Sequence, residues 1–240
     1  MMLKDVIARM GDFCFDNRGL QYLPYALVIL VELEDFRQVN ESIPFEIFCF
    51  AITMVGIIIR IMTIGYVPEN TSGRNRGTQI AETLNTTGMY SVVRNPLYLG
   101  NFFIFLGITV MTESWEIIVA NSLIMLVIYT LIVLREENFL CGKFGSAYID
   151  WADKVPCFVP TFNSIKNFQK SERKFSLKKI IKNEHDTWLT TLIGFVGIEI
   201  VRGFFEVHKF YLHPLWICTT AAVLGLWLVS KILKKNYLLN

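Results

Sequence analysis

The chain has 240 residues, 53% of them hydrophobic, with a mean hydropathy of +0.43 and a formal net charge of +2. Its apolar residues come in near-continuous blocks separated by charged stretches, which excludes the amphipathic periods of an ordinary soluble core and makes a membrane protein the first reading. Five cysteines without a CxxC pair and three histidines without an HExxH-like cluster argue against a metal centre and for reduced thiols.

Residues 1–19 mix charge with Val6, Ile7, Met10, Phe13 and Phe15 and suit an interfacial helix. This stretch lacks the compact apolar run and small-residue cleavage site of a signal peptide, so the first hydrophobic segment is expected to stay in the mature protein. That segment, 20–33, is short for a span of ~20 residues. The second, 44–64, is long enough. The third and fourth, 97–112 and 117–134, are separated only by Glu113-Ser114-Trp115-Glu116 and predict a tight helical hairpin. A fifth, 187–207, and a sixth, 212–233, are again joined by a very short link.

About six spans follow, with five as the lower limit. With six, Arg37 and Lys209 are the only ones of the 23 Lys and Arg on one side, Arg60 and Arg202 fall within spans, and the rest share the other side. By the positive-inside rule that richer side is cytoplasmic and holds both termini. No tandem repeat is evident. The basic run 170–182 reads as a solvated or headgroup-facing linker.

The stretch Gly88-Met89-Tyr90-Ser91-Val92-Val93-Arg94-Asn95-Pro96-Leu97-Tyr98-Leu99-Gly100 reads as a loop turning into a membrane helix. Pro96 is tolerated in a first helical turn, and the run that follows it is almost wholly apolar. Arg135-Glu136-Glu137 stand where the fourth segment leaves the membrane. Alone they read as interfacial solvation, but the hairpin brings them to the same end as Arg94-Asn95. Beyond lie Phe144-Gly145-Ser146-Ala147-Tyr148-Ile149-Asp150-Trp151 and Val155-Pro156-Cys157-Phe158-Val159-Pro160, either a reentrant lid or a wall for a planar ligand. Arg60, near the cytoplasmic end of its span, either snorkels or binds a headgroup. Glu199 and Arg202, three apart, read as a packing ion pair near the opposite leaflet.

In their order, the Gly88-x-Tyr90-x-x-x-Arg94-Asn95-Pro96-x-Tyr98-x-Gly100 stretch, Glu136-Glu137, Phe144-Gly145-x-x-Tyr148, Val155-Pro156 and Pro160 make the chain resemble the integral-membrane methyltransferases. That family includes isoprenylcysteine carboxyl methyltransferase and the phospholipid methyltransferases. The resemblance covers about residues 60–160. The linker 70–85, with Ser72-Gly73-Arg74-Asn75-Arg76, also looks like the bacterial branch that methylates lipid A phosphate. Two departures stand out: the family typically has His where Asn95 stands, and Tyr is common in place of Trp151. The change at Asn95 removes a proton-accepting imidazole.

The resemblance implies an all-α integral-membrane fold forming one domain over 1–240, with a core at about 44–165 and an extra helical pair at about 187–233. It implies S-adenosylmethionine as methyl donor, with S-adenosylhomocysteine as product. Tyr90, Arg94, Asn95, Pro96, Leu97 and Tyr98 would form one wall of the donor site. Glu136 and Glu137 would meet its ribose or amino group, and Tyr148 with Val155 and Pro156 would cover it. A carboxylate suits ribose hydroxyls, and anionic or aromatic groups suit a sulfonium; the glycine-rich loop of soluble dinucleotide folds is missing.

Methyl transfer is an in-line displacement, in which alignment matters more than activation. An anionic acceptor needs no base, whereas a protonated amine does. Arg94, Arg135 and Arg60 with no histidine nearby favour an anionic acceptor, with Glu136 or Glu137 as possible bases for an amine; Arg94, Arg135, Glu137 and Arg60 are the candidate catalytic residues. A lipid phosphate such as that of lipid A is the expected acceptor, ahead of a prenylcysteine carboxylate or the amine of phosphatidylethanolamine. The expected setting is a bacterial inner membrane with the site on the cytoplasmic leaflet, and neither metal nor nucleic acid is expected as a partner. A different class, a small transporter or scaffold, would place polar groups near the midplane; here they crowd one interface.

Overall fold

The computed structural model describes residues 2–17, 43–68, 81–207 and 214–235. Among them it is all-helical: α1 (Met2–Asp16), α2 (Ile43–Tyr66), a 3-10 turn (Gly88–Ser91), α3 (Pro96–Val110), α4 (Trp115–Phe144), α5 (Ser146–Ala152), α6 (Phe162–Lys166), α7 (Leu177–Val207) and α8 (Pro214–Lys235). Four stretches are long and apolar enough to cross a membrane: Ile43–Tyr66, Trp115–Phe144, Leu177–Phe204 and Trp216–Lys235. The expected third span is the apolar but shorter helix Pro96–Val110. The expected first span and the linker read as resembling the lipid A branch fall wholly or mostly outside the described residues.

The α3–α4 hairpin forms as the short link requires. Glu113 adopts φ 55°, and Ser114 caps α4 by accepting a hydrogen bond from the Ile117 amide at 3.3 Å. α2 runs antiparallel to α3 at unusually close range. A Cβ on Gly100 would meet the Gly56 carbonyl oxygen at 2.9 Å, and one on Gly107 would meet the Thr53 amide nitrogen at 2.9 Å. Small residues let two backbones approach where lipid offers no hydrophobic drive, and Thr53 adds a hydrogen bond to the Ile104 carbonyl at 3.4 Å.

Further along the same face, Ile104, Ile108 and Met111 of the hairpin pack with Leu192, Phe195 and Ile198 of α7 and Trp216 of α8. Phe195 stacks on Trp216, with ring centroids 5.8 Å apart. At the other end Trp227 of α8 donates to Asp186 of α7 at 3.0 Å. α7 and α8 are therefore antiparallel neighbours, and α7 lies beside α2 and α3.

Two boundaries differ from the sequence reading. α7 begins at Leu177, ten residues before the expected span, so residues 177–182 of the basic run are helical and not linker. His185 is buried inside this helix. Charge marks where a helix meets polar surroundings, not where it stops, and Glu184 tolerates burial because Arg60 pairs with it. α4 likewise continues past residue 134 to Phe144, where Gly145 (φ 54°, ψ −128°) ends it in a conformation that suits only glycine.

α1 is the helix its sequence suggests, docked on α4. Phe15 is buried with Met125, Tyr129 and Ile132, and Arg135 joins Asp12 at 2.8 Å and Asp16 at 3.1 Å.

Candidate active site

The turn and loop before Pro96 bring polar side chains to the start of α3, and the antiparallel hairpin delivers Glu136 and Glu137 of α4 to the same place. Arg94 Nε lies 3.0 Å from Glu137 Oε1, and the Tyr98 hydroxyl donates to Glu136 Oε1 at 2.9 Å. Tyr98 is braced by Tyr129, whose ring centroid is 4.8 Å away. The two carboxylates are thus held by different residues, Glu137 by Arg94 in the loop before α3 and Glu136 by Tyr98 in its first turn. The Arg94 and Glu137 side chains keep 20% and 24% exposure, enough for water or a ligand to reach them.

The chain after α5 closes on the same residues. The Arg94 amide donates to the Pro156 carbonyl at 2.8 Å, the Asn95 amide to Cys157 at 3.2 Å, and Arg94 Nη1 to the Ala152 carbonyl at 2.9 Å. Trp151 Nε1 donates to the Tyr90 carbonyl at 3.3 Å. Tyr148 is buried beside Glu137, its ring 5.6 Å from that of Trp151, and Val155 is buried.

Burial pushes the Tyr148 hydroxyl well above its ordinary titration range; Glu137's charge acts the same way, and Arg94 opposes it. Tyr90 is pushed up chiefly by burial, with Glu136 adding and Arg60 opposing. Burial also raises the Cys157 thiol, against a hydrogen bond from Arg94. Both phenols and the thiol are therefore neutral at neutral pH. The charged members of the cluster are Arg94, Glu136 and Glu137.

The structure brings together Tyr90, Arg94, Asn95, Pro96, Tyr98, Glu136, Glu137, Tyr148, Val155 and Pro156. Arg60 sits a layer deeper. Its Nε and Nη2 meet Glu184 at 2.7 and 2.8 Å and its Nη1 meets Asn101 at 2.6 Å, with the Leu97 carbonyl at 3.4 Å. The side chains of Arg60 and Glu184 are 9% and 1% exposed, so Arg60 is engaged in the interior rather than snorkelling. Arg135 turns away from Glu137 toward α1 and lies 4.1 Å from the Phe15 ring centroid. Glu199 and Arg202 do pair, at 3.5 Å.

Sequence reasoning did not single out Cys157, whose Sγ lies 3.5 Å from Asn95 Nδ2 and 3.9 Å from Glu137 Oε1. Nor did it find Glu184, 124 residues from its partner Arg60. A shallow, solvent-open cleft adjoins the turn, lined by Met62, Tyr66, Asn85, Met89, Tyr90 and Arg173; it shares Tyr90 with the cluster. Among the described residues no group of three or more His, Cys, Asp or Glu is placed to hold a metal ion.

Residues 46–147, which include both halves of this cluster, match the family model described as phospholipid methyltransferase. The chain is 27% identical to the cobalt-zinc-cadmium resistance protein CzcN of Cupriavidus metallidurans over 125 residues, 52% of this chain and 54% of that one. It is 35% identical to methanethiol S-methyltransferase 2 of Bradyrhizobium diazoefficiens over 88 residues, 35% of this chain and 32% of that one. It is 31% identical to the protein-S-isoprenylcysteine O-methyltransferase of Schizosaccharomyces pombe over 77 residues, 32% of this chain and 33% of that one. At most, therefore, the chain spans about half the length of these curated relatives. No solved structure matches it. The part of the chain that is similar to the phospholipid methyltransferase family, residues 46–147, thus contains the hairpin and both of its paired carboxylates.

Proposed function

We propose that the protein is a membrane methyltransferase that uses S-adenosylmethionine to methylate an anionic oxygen on a lipid headgroup at the cytoplasmic leaflet. The preferred acceptor is a lipid phosphate such as that of lipid A. The observation that carries this reading is the pair of adjacent carboxylates, Glu136 and Glu137, held at the start of α3 by Tyr98 and Arg94 under the cover of Tyr148 and Trp151. Acceptor oxygens beside aromatic rings suit a donor that carries an ammonium and a sulfonium as well as ribose hydroxyls. The donor supplies an electrophilic methyl group.

Glu136 and Glu137 would hold the donor's hydroxyls or amino group, and Tyr90, Asn95, Pro96, Leu97, Val155 and Pro156 would shape its walls. Arg94 would share its charge between Glu137 and the anionic acceptor. No group need remove a proton from such an acceptor, in keeping with a cluster whose phenols and thiol stay neutral. Arg60, paired with Glu184, and Arg135, paired with Asp12 and Asp16, are proposed to brace the helices around the site, with neither touching the reacting atoms. All of 1–240 would act as one domain in a bacterial inner membrane, with α7 and α8 walling off the lipid tails.

Calorimetry with S-adenosylmethionine tests the donor, and saturable binding is expected. The acceptor is tested by giving methyl-labelled donor to membranes that carry the protein and identifying the labelled product by mass. A labelled lipid phosphate is expected; label on a prenylated peptide, a phosphatidylethanolamine amine or a small thiol would replace the acceptor assignment. Absence of donor binding at high concentration would favour a transporter or scaffold.

A further inference from the structure

Asn95 occupies the N-cap position of α3, where an asparagine ordinarily accepts a hydrogen bond from the first turn; here its side chain makes no cap hydrogen bond. Its amide group instead reaches across 62 residues, with Nδ2 3.3 Å from the Cys157 carbonyl oxygen and 3.5 Å from the Cys157 sulfur. The Asn95 backbone amide donates to the same carbonyl at 3.2 Å, and Arg94 adds the bonds to Pro156 and Ala152. From the other side, Trp151 ties to Tyr90. Segment 151–157 is therefore fastened at both ends to the loop and helix start that carry Arg94.

We infer that Asn95 is a positioning residue, whose side-chain amide fastens segment 155–157 over the Arg94–Glu137 pair and so holds the cover of the donor site closed. Three details agree. The amide is released from capping, so α3 does not need it. Its acceptor is a carbonyl already used by the neighbouring backbone amide, which makes a two-pronged grip. The segment it holds carries Val155 and Pro156 against the cluster. The effect on the donor rests on the methyltransferase reading; the fastening does not.

The test compares Asn95→Leu, of similar shape but without a donor, with Asn95→His, which keeps an N–H at comparable reach. The first readout, with no donor present, is the alkylation rate of Cys157 by a water-soluble maleimide in the detergent-solubilised full chain, followed by peptide mass. Losing the amide is expected to raise that rate about tenfold in Asn95→Leu, with Asn95→His near the parent. A rise reports opening, because the lost hydrogen bond to sulfur would by itself disfavour the reactive thiolate. The second readout is kinetic: KM for S-adenosylmethionine rises by a similar factor in Asn95→Leu while kcat stays within about twofold.

Unchanged Cys157 reactivity in Asn95→Leu overturns the fastening, and a fall in kcat at constant KM overturns the positioning role in favour of one in the chemistry. Faster alkylation in a protein that binds no donor supports the fastening and removes the methyltransferase reading. If Asn95→Leu does not fold, Trp151→Phe breaks the other tie and is read by the same alkylation.

Discussion

Two arginine–carboxylate pairs stand at the same end of the helices, and their surroundings set them apart. Arg60 and Glu184 form a doubly bonded pair with almost no exposure, and Asn101 occupies Nη1. Arg94 and Glu137 make one 3.0 Å contact and remain about a fifth exposed. The first pair joins α2, α3 and α7 and leaves little room for a competing ligand. The second joins the two arms of a hairpin at a place where a ligand can share its charges. Similar chemical groups thus divide into a scaffold and a candidate site according to saturation and burial.

The strongest way to break this contrast is at the exposed pair. Glu137→Ala or Arg94→Ala is expected to abolish methyl transfer, by at least about a hundredfold, while helical content and unfolding temperature change little. Full activity in both variants would remove the cluster from the mechanism. At the buried pair the expectation reverses: Arg60→Ala should destabilise the protein by about 3–5 kcal/mol, because buried Glu184 loses the guanidinium that meets both of its oxygens. Thermal unfolding measures that loss, and Arg60→Ala with Glu184→Leu together should recover part of it.

A third arginine sharpens the rule. Arg135 meets Asp12 and Asp16, both about half exposed, so Arg135→Ala should cost only about 1 kcal/mol and loosen α1, as read by proteolysis of the N-terminal helix. The smallest effect concerns pH. Because burial raises the folded-state pKa of Tyr148, its contribution to stability is fully present below the unfolded value near 10 and fades as pH rises beyond it. Tyr148→Phe should therefore flatten the alkaline loss of stability above about pH 10 and leave the curve between pH 6 and pH 9 unchanged. A change in that lower window would mean the phenol titrates near neutrality.

Much of this end of the molecule could be read from the residues in order. A proline preceding a long apolar run, a four-residue link and a charged exit from the next run are local signals, and together they bring Arg94 beside Glu137. The position of α7 was not legible because Lys178, Lys179 and Lys182 look like a linker when hydropathy is averaged, although they sit on helical turns. Arg60 was ambiguous for another reason. Whether a charge in a span snorkels or pairs depends on a partner far along the chain, and no pattern near residue 60 announces Glu184. Cys157 escaped notice because a thiol in a proline-punctuated loop has no periodicity; only the fold shows what it faces. Asn95 was seen as a missing imidazole, whereas the structure shows an amide used as a donor.

α4, with 30 residues, measures about 45 Å, half as long again as the ~30 Å hydrocarbon layer is thick. Seven of its residues follow Glu137 before Gly145 reverses the chain, and only then does α5 carry Tyr148 back to the cluster. The alignment of the cover with the carboxylate beneath it is therefore a matter of counting. Removing one residue from 138–144 would swing everything downstream about 100° around the helix axis, whereas removing a near-whole turn of four would mainly lower it by about 6 Å. Insertions and deletions in this stretch should be tolerated by phase rather than by size.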